Sequence, residues 1–269
     1  MKPYLMAEMT MGEVREYLKK KDTVILPYGV VEQHGNHLPL STDCCIAEMM
    51  ANLLAEGLGC IVAPTLNYCF SGGMLPGTIN VQPNHFSLVV TDIIQSLAVQ
   101  GFRKIVIIAG HGGSESLENL KESLRIAKWT NPYLHDVLVL FPALEEYSPT
   151  ARKFVFEEHD FHAGCEETSL MLACRGDLVH MERVRTDSAP ILNMMLDNPD
   201  AYQKRTFLTK EKKDIPNTEQ DPRIVFGVMG HPEKSSVELG KRIMEELRKN
   251  MVPAVRKLLK GAKMPEKEK

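Results

Sequence analysis

Short apolar runs that stop at glycine or proline, each followed by a stretch with helical spacing, constrain this chain more than any other feature. Asp22-Thr-Val-Ile-Leu-Pro-Tyr-Gly29 reads as a buried strand closed by Pro27 and Gly29. After it, Ile46, Met49, Met50, Leu53 and Leu54 recur at three- and four-residue steps, which predicts a helix over 43–57 with Thr42 or Asp43 as its cap. Ile61-Val-Ala-Pro64 returns to a strand. His85–Gln100 reads as a helix, Gly101–His111 as a strand ending in a glycine-rich turn, Glu115–Trp129 as a helix and Val137–Phe141 as a strand. A late strand is expected at Ile224–Met229, before an amphipathic helix over Glu233–Arg248.

Strands with few polar interruptions that alternate with helices predict an α/β fold, its largely parallel sheet covered on both faces. No proline- or glycine-rich linker divides the 269 residues, so 1–259 is expected to form one domain and 260–269 a charged, flexible tail. The charged stretch Lys204–Pro222 reads as a solvated excursion. Ser71–Thr78, dominated by glycine and proline, reads as a loop able to shape a pocket.

A formal charge of -3 offers no overall attraction to phosphate backbones or anionic lipid, so nucleic acid and membrane are not expected partners. No apolar stretch approaches the roughly 20 residues of a membrane span, and the N-terminus lacks the apolar core of a signal peptide. A cytoplasmic location is expected. The six cysteines (44, 45, 60, 69, 165 and 174) form no CxxC pair and read as free thiols, with Cys165 beside His162 as the one nucleophile to weigh.

Three polar clusters carry the chemistry. Glu32-Gln-His34 follows the first strand, and Asp43 lies at the start of the next helix; in open α/β sheets, ligands bind beyond the carboxyl ends of strands. Gly110-His111-Gly-Gly follows another strand. The third cluster, Asp160-Phe-His162-Ala-Gly-Cys-Glu-Glu167, leads into an apolar helix. Singly, each has a plain reading: a loop histidine, a helix cap, a solvated acid, a local His162–Glu167 pair. Convergence of all three on one sheet edge suits a divalent metal such as zinc, manganese or iron(II), because imidazole and carboxylate are the ligands those ions share. One assignment that the spacing permits is binuclear, with Asp43 bridging an ion held by Glu32 and His111 and another held by His34 and Glu167. Two such ions activate water for attack on a polarised bond. His37 reads as a positioning or substrate residue rather than an outer ligand, and His85 and His231 as structural. Gly110-His-Gly-Gly-Ser lacks the spacing of a nucleotide-binding fingerprint.

At these residues the chain resembles the creatininase, or creatinine amidohydrolase, family. The match lies in Glu32-Gln-His-Gly-Asn-His-Leu-Pro-Leu-Ser-Thr-Asp43, Gly110-His-Gly-Gly113, His162-Ala-Gly-Cys-Glu-Glu-Thr-Ser169 and Gly227-Val-Met-Gly-His-Pro232. The resemblance implies a three-layer α/β sandwich and a divalent-metal centre, commonly binuclear, in an enzyme that opens small cyclic amides. It places Glu32, His34, Asp43 and His111 at metal-ligand positions and gives His162 a role in proton transfer, with Glu167 beside it. Creatinine-hydrolysing members carry a further acid where this chain has Gly113, which leaves Glu167 as the substitute ligand. Ala109 and Ser114 replace the usual flanking asparagines, and Trp129 falls in a helix rather than over a substrate. The resemblance also implies a homo-oligomer, a hexamer or trimeric unit. Beyond opening a small polar cyclic amide or cleaving a related C–N bond, its range includes C–C ring opening of a cyclic inositol-derived diketone, deformylation of a nucleotide-biosynthesis intermediate and processing of a modified peptide. A non-catalytic metal-containing binding protein is the alternative outside enzymology.

Overall fold

In the computed structural model, which describes residues 4–262, five parallel strands form the central sheet. In chain order the first elements are β1 (Tyr4–Leu5), α1 (Met11–Leu18), β2 (Thr23–Tyr28), α2 (Thr42–Leu58), β3 (Ile61–Val62), α3 (Pro83–Gln100), β4 (Lys104–Ala109), α4 (Ser114–Thr130) and β5 (Leu138–Leu140). Then come α5 (Leu144–Tyr147), α6 (Pro149–Glu157), α7 (Cys165–Arg175), α8 (Ala189–Asp197), the antiparallel pair β6 (Gln203–Thr206) and β7 (Asn217–Gln220), and α9 (Val237–Gly261).

The sheet runs β1-β3-β2-β4-β5, with β2 and β4 in register from Thr23 opposite Lys104 to Tyr28 opposite Ala109. Alternation of side chains along each strand feeds two cores. Val24, Leu26, Ile105 and Ile107 pack with Phe86, Val90, Ile94, Leu120 and Leu124 of α3 and α4, whereas Ile25, Val106 and Ile108 pack on the α2, α7 and α9 side. Each enclosed Ile or Leu contributes about 1.5–3 kcal/mol of burial. The result is three layers, helices on both faces of a parallel sheet. Among the described residues, no helix is long and apolar enough to cross a membrane.

From β2 the chain moves to β3 on one side and then returns past β2 to β4 on the other. The point of reversal, between β2 and β4, is where open α/β sheets leave a crevice at their carboxyl ends. Two glycines bring the start of α2 across this crevice. A Cβ on Gly110 would land on the Asp43 carbonyl oxygen, and one on Gly29 would lie 2.6 Å from the Cys44 backbone nitrogen. Bare backbone at both strand ends therefore seats the first turn of α2 against the sheet edge.

Three expectations need correction. Ile224–Met229 is not a strand: the N–H groups of Val225, Phe226 and Gly227 donate to the Asp187 carboxylate, Gly227 takes φ +64°, and only the single bridge between His162 and Met229 remains. The last helix starts at Val237 rather than Glu233, because Pro232–Lys234 form a separate turn and Ser236 caps the helix by accepting from the Leu239 N–H; it then continues through Pro253 to Gly261. The stretch Lys204–Pro222 is largely exposed, as a solvated excursion should be, and carries most of the β6–β7 hairpin. Neither Thr42 nor Asp43 caps α2: Ser41 holds that position, and the Thr42 hydroxyl donates to the Pro39 carbonyl at 2.7 Å. The tail expectation falls mainly on residues 263–269, outside those described.

Candidate metal centre

Four elements deliver polar side chains to the crevice. Glu32 and His34 follow β2, Asp43 stands in the first turn of α2, His111 follows β4, and His162 and Glu167 flank the start of α7. Glu32, His34 and Asp43 are at least nine-tenths buried. The ligand atoms of Glu32, Asp43 and His111 lie within 4.8 Å of one another, as do those of His34, Asp43 and Glu167, so Asp43 belongs to two overlapping groups. Glu32, His34 and His162 make a third.

The hydrogen bonds around these groups fix what each atom offers. His34 Nδ1 donates to the Glu32 carbonyl at 3.1 Å, which leaves Nε2 as a lone pair facing Asp43 Oδ1 at 2.9 Å and Glu167 Oε2 at 3.7 Å. His111 Nδ1 faces Asp43 Oδ2 at 3.1 Å and Glu32 Oε2 at 3.3 Å. Neither Glu32 Oε2 nor His34 Nε2 makes a well-directed hydrogen bond, although both are buried. A lone pair pointed at a carboxylate in a dry site repels it unless a proton or a cation lies between them. Protons serve in the ion-free chain. Burial opposes the charge on His34, but Asp43, Glu167 and Glu32 override it and raise the imidazole to about 10. His111 is raised to about 9 against the same burial by Asp43 and Glu32. Asp43 is held below the usual carboxylate range by the two imidazoles despite its burial, whereas burial pushes Glu167 up. Three carboxylates and two imidazoles in this arrangement fit divalent cations.

Surrounding groups orient the set. The Ser71 hydroxyl donates to Glu32 Oε1 at 2.6 Å, and the Ala163 N–H to Glu167 Oε2 at 2.6 Å. The His162 ring lies tilted by 40° against that of His34, with centroids 4.3 Å apart, and its Nε2 lies 2.8 Å from the Gln33 carbonyl. The carbonyl accepts from this nitrogen when it carries a hydrogen, and the Gln33 side-chain amide nitrogen, 3.1 Å from the same atom, donates to it when it does not, so Gln33 holds the ring in either tautomer. Asp160, buried between Gly164 and Gly230, accepts from the N–H groups of Cys165 at 2.7 Å, Glu166 at 3.1 Å and His231 at 3.1 Å, which anchors the start of α7. Ser71, Gln33 and Asp160 are the functional neighbours that sequence reasoning missed; Gln33 and Asp160 lay inside motifs already singled out, and Ser71 opens the glycine-rich loop.

Glu32, His111, His162 and Glu167 line a cavity of about 490 Å³, to which the 71–78 loop contributes Ser71, Gly73 and Leu75. Its aromatic walls are Phe161 and Tyr202; Trp129 is 77% exposed on α4 and is not part of it. His37 is also outside. Its Nε2 lies 3.1 Å from the Thr168 hydroxyl, and burial, with His34 and His162 nearby, lowers it to about 4. All six cysteines are free, and burial pushes Cys165 up to about 12, which deprives it of the thiolate a nucleophile needs.

Comparison with known proteins gives a consistent picture. The family model for creatininase, described as creatinine amidohydrolase, matches residues 7–255. Creatinine amidohydrolase of Pseudomonas putida is 30% identical over 198 residues, 68% of this chain and 76% of that protein. The 3-dehydro-scyllo-inosose hydrolase of Thermotoga maritima is 29% identical over 189 residues, 65% of this chain but only 57% of that protein. Among solved structures, creatininase superposes with a TM-score of 0.76 at 26% identity, covering 97% of this chain and all of the other. Creatininase is also known in a Mn form and, as a point mutant, in a Zn–Zn form; both match with a TM-score of 0.74, at 25% and 26% identity, over 96% of this chain and 99% of theirs.

Proposed function

Because this chain belongs to the creatininase family and is a metal-dependent hydrolase, we propose that it opens or cleaves a small cyclic amide or related C–N bond. Two divalent ions of zinc, manganese or iron would serve it, one held by Glu32, Asp43 and His111 and the other by His34, Asp43 and Glu167. The observation that carries this reading is the sharing of Asp43 between two groups of buried ligands drawn from separate elements. When bound, such ions supply Lewis acidity and water whose pKa is brought near neutrality.

The chain's own residues do the rest. Ser71 holds Glu32, and the Glu32 carbonyl holds the His34 ring in one tautomer, so the ligand atoms are aimed before anything binds. His162, held at its Nε2 edge by Gln33, takes a proton from the attacking water and returns it to the nitrogen released by C–N cleavage. Glu167, tied to the Ala163 N–H, stands on the same turn and shares the catalytic region with His162.

A second reading has one specific support. The inosose hydrolase relative favours C–C ring opening of a cyclic diketone at the same centre. Product mass spectrometry in oxygen-18 water, over lactams, formamides and cyclic diketones, separates the two: an amine with label in the new carboxylate supports the first, and a labelled ring-opened keto acid the second. Metal analysis that finds no stoichiometric zinc, manganese or iron after reconstitution refutes both. The same reading makes the protein a cytoplasmic homo-oligomer, a trimeric unit or hexamer, and a sole monomer in analytical ultracentrifugation at micromolar protein refutes that assembly.

A further inference from the structure

Tyr202 stands at the entry to the β6–β7 hairpin and lines the same cavity as Glu32, His111 and Glu167. Its ring is fixed by a small core of its own, formed by Ile191, Met195 and Ile224. Its hydroxyl is fixed from two sides. Gly72 takes φ +88° and bears no side chain, and a Cβ there would lie 2.5 Å from Tyr202 Oη. The phenol thus rests against the loop whose Ser71 holds Glu32. From the hairpin, Arg205 donates to Gln203 Oε1 at 2.8 Å, which turns the Gln203 amide nitrogen to Tyr202 Oη, also at 2.8 Å. An amide nitrogen donates and does not accept, so Oη accepts there and its own proton is directed elsewhere. Among the described residues, no acceptor takes that proton. Burial raises the phenol above its ordinary range, so the proton stays on at neutral pH.

We propose that Tyr202 contacts the substrate, donating its O–H to an oxygen other than that of the bond being cut, and so selects compounds with a second carbonyl or hydroxyl oxygen. The offset follows from Glu32, which turns Oε2 to His111 and Oε1 to Ser71. The phenol beside Gly72 is on the Oε1 side, away from the paired ligands, and meets a part of the substrate beyond the reacting carbon. Packing alone would need the ring and not the Arg205–Gln203 chain that orients its hydroxyl. A donor whose ring and lone pair are already committed has little freedom left to lose on binding. A compound without the second oxygen leaves the O–H unpaired in the cavity, which is how such a site discriminates.

The inference rests on the metal-hydrolase reading, and hydroxamates, which chelate zinc, separate the two. Calorimetric titration of the zinc-loaded full chain compares pentane-, hexane- and heptanehydroxamate with the same three bearing a ketone at the penultimate carbon. At least one keto probe should bind about five- to tenfold tighter than its alkane counterpart, the range of one neutral hydrogen bond. Y202F keeps the ring and loses only the hydroxyl. It should bind the two members of that pair equally, and an unchanged zinc content and affinity for the alkane probe certify that fold and metals survive. No keto preference at any length, or one that persists in Y202F, overturns the inference and leaves the hydrolase reading standing. Failure of every probe to bind overturns both.

Discussion

Replacing Asp43 by alanine should abolish occupancy of both metal positions at once. Asp43 is the only residue common to the group with Glu32 and His111 and the group with His34 and Glu167. Losing an outer partner of a ligand already costs about 10–100-fold in affinity, so loss of a ligand itself should cost at least about 100-fold at each position. That is about 2.7 kcal/mol per ion. At zinc concentrations near 100 times the wild-type dissociation constant, each ion stabilises the fold by about the same amount, so most of the zinc-induced rise in melting temperature, about 5–10 °C per ion, should vanish. His111→Ala and Glu167→Ala each spare one group. Mass spectrometry of the native protein at zinc about ten times the wild-type dissociation constant, where a loss of about 100-fold leaves about a tenth of a site filled, should therefore count two ions in the parent, mostly none in Asp43→Ala and one in each of the others, with circular dichroism confirming the fold. The reasoning is refuted if Asp43→Ala keeps two ions at unchanged affinity, or if His111→Ala loses both.

The ion-free chain should melt at progressively lower temperature as pH rises from about 6.5 toward 10. His34 and His111 are raised from 6.5 to about 10 and about 9, so the stability they contribute is complete below the unfolded value and is lost as each releases its proton; a flat thermal-shift profile across that window would contradict this. His162→Gln should retain its metals, by inductively coupled plasma analysis, while turnover of the identified substrate falls about 10²–10⁴-fold; wild-type rates across pH would remove His162 from proton transfer. Gly110→Ala places a methyl group on the Asp43 carbonyl and should cost about 1–3 kcal/mol in urea titrations. Gly112→Ala, with nothing within 4 Å of the added carbon, should stay within about 0.5 kcal/mol, and equal costs for the two would refute the close-approach argument.

The parts of this fold legible in the sequence are those where a local pattern and the tertiary environment agree. β2 and β4 are buried on both faces and so read as unbroken apolar runs, and α2 keeps its 3.6-residue spacing because one side meets the core. The ligand candidates were visible because they cluster where such strands stop. Ile224–Met229 looked like another strand, yet its backbone donors are claimed by Asp187, a carboxylate nearly 40 residues earlier that no periodicity links to it. Asp160 and Ser71 eluded sequence reasoning for the same reason: their roles are defined by backbone groups or side chains that only the fold brings near. The cavity walls contributed by α5 and by Tyr202 lie in segments whose short, polar elements carry little pattern.

The seating of α2 on the sheet edge also bears on the order in which the site comes into being during synthesis. The elements that carry Glu32, Asp43 and His111 lie in the first 111 residues: three central strands, the helix that crosses their ends, and the two glycines beneath it. His34 and Asp43 emerge with them, but Glu167 arrives more than 50 residues later, on a helix that packs against α9 near the other end of the chain. Domains fold from their amino-terminal side as the ribosome delivers them. One half of the site is thus encoded ahead of the other, and a nascent chain stalled between residues 111 and 167 carries a complete group for one cation and an unfinished one for the second.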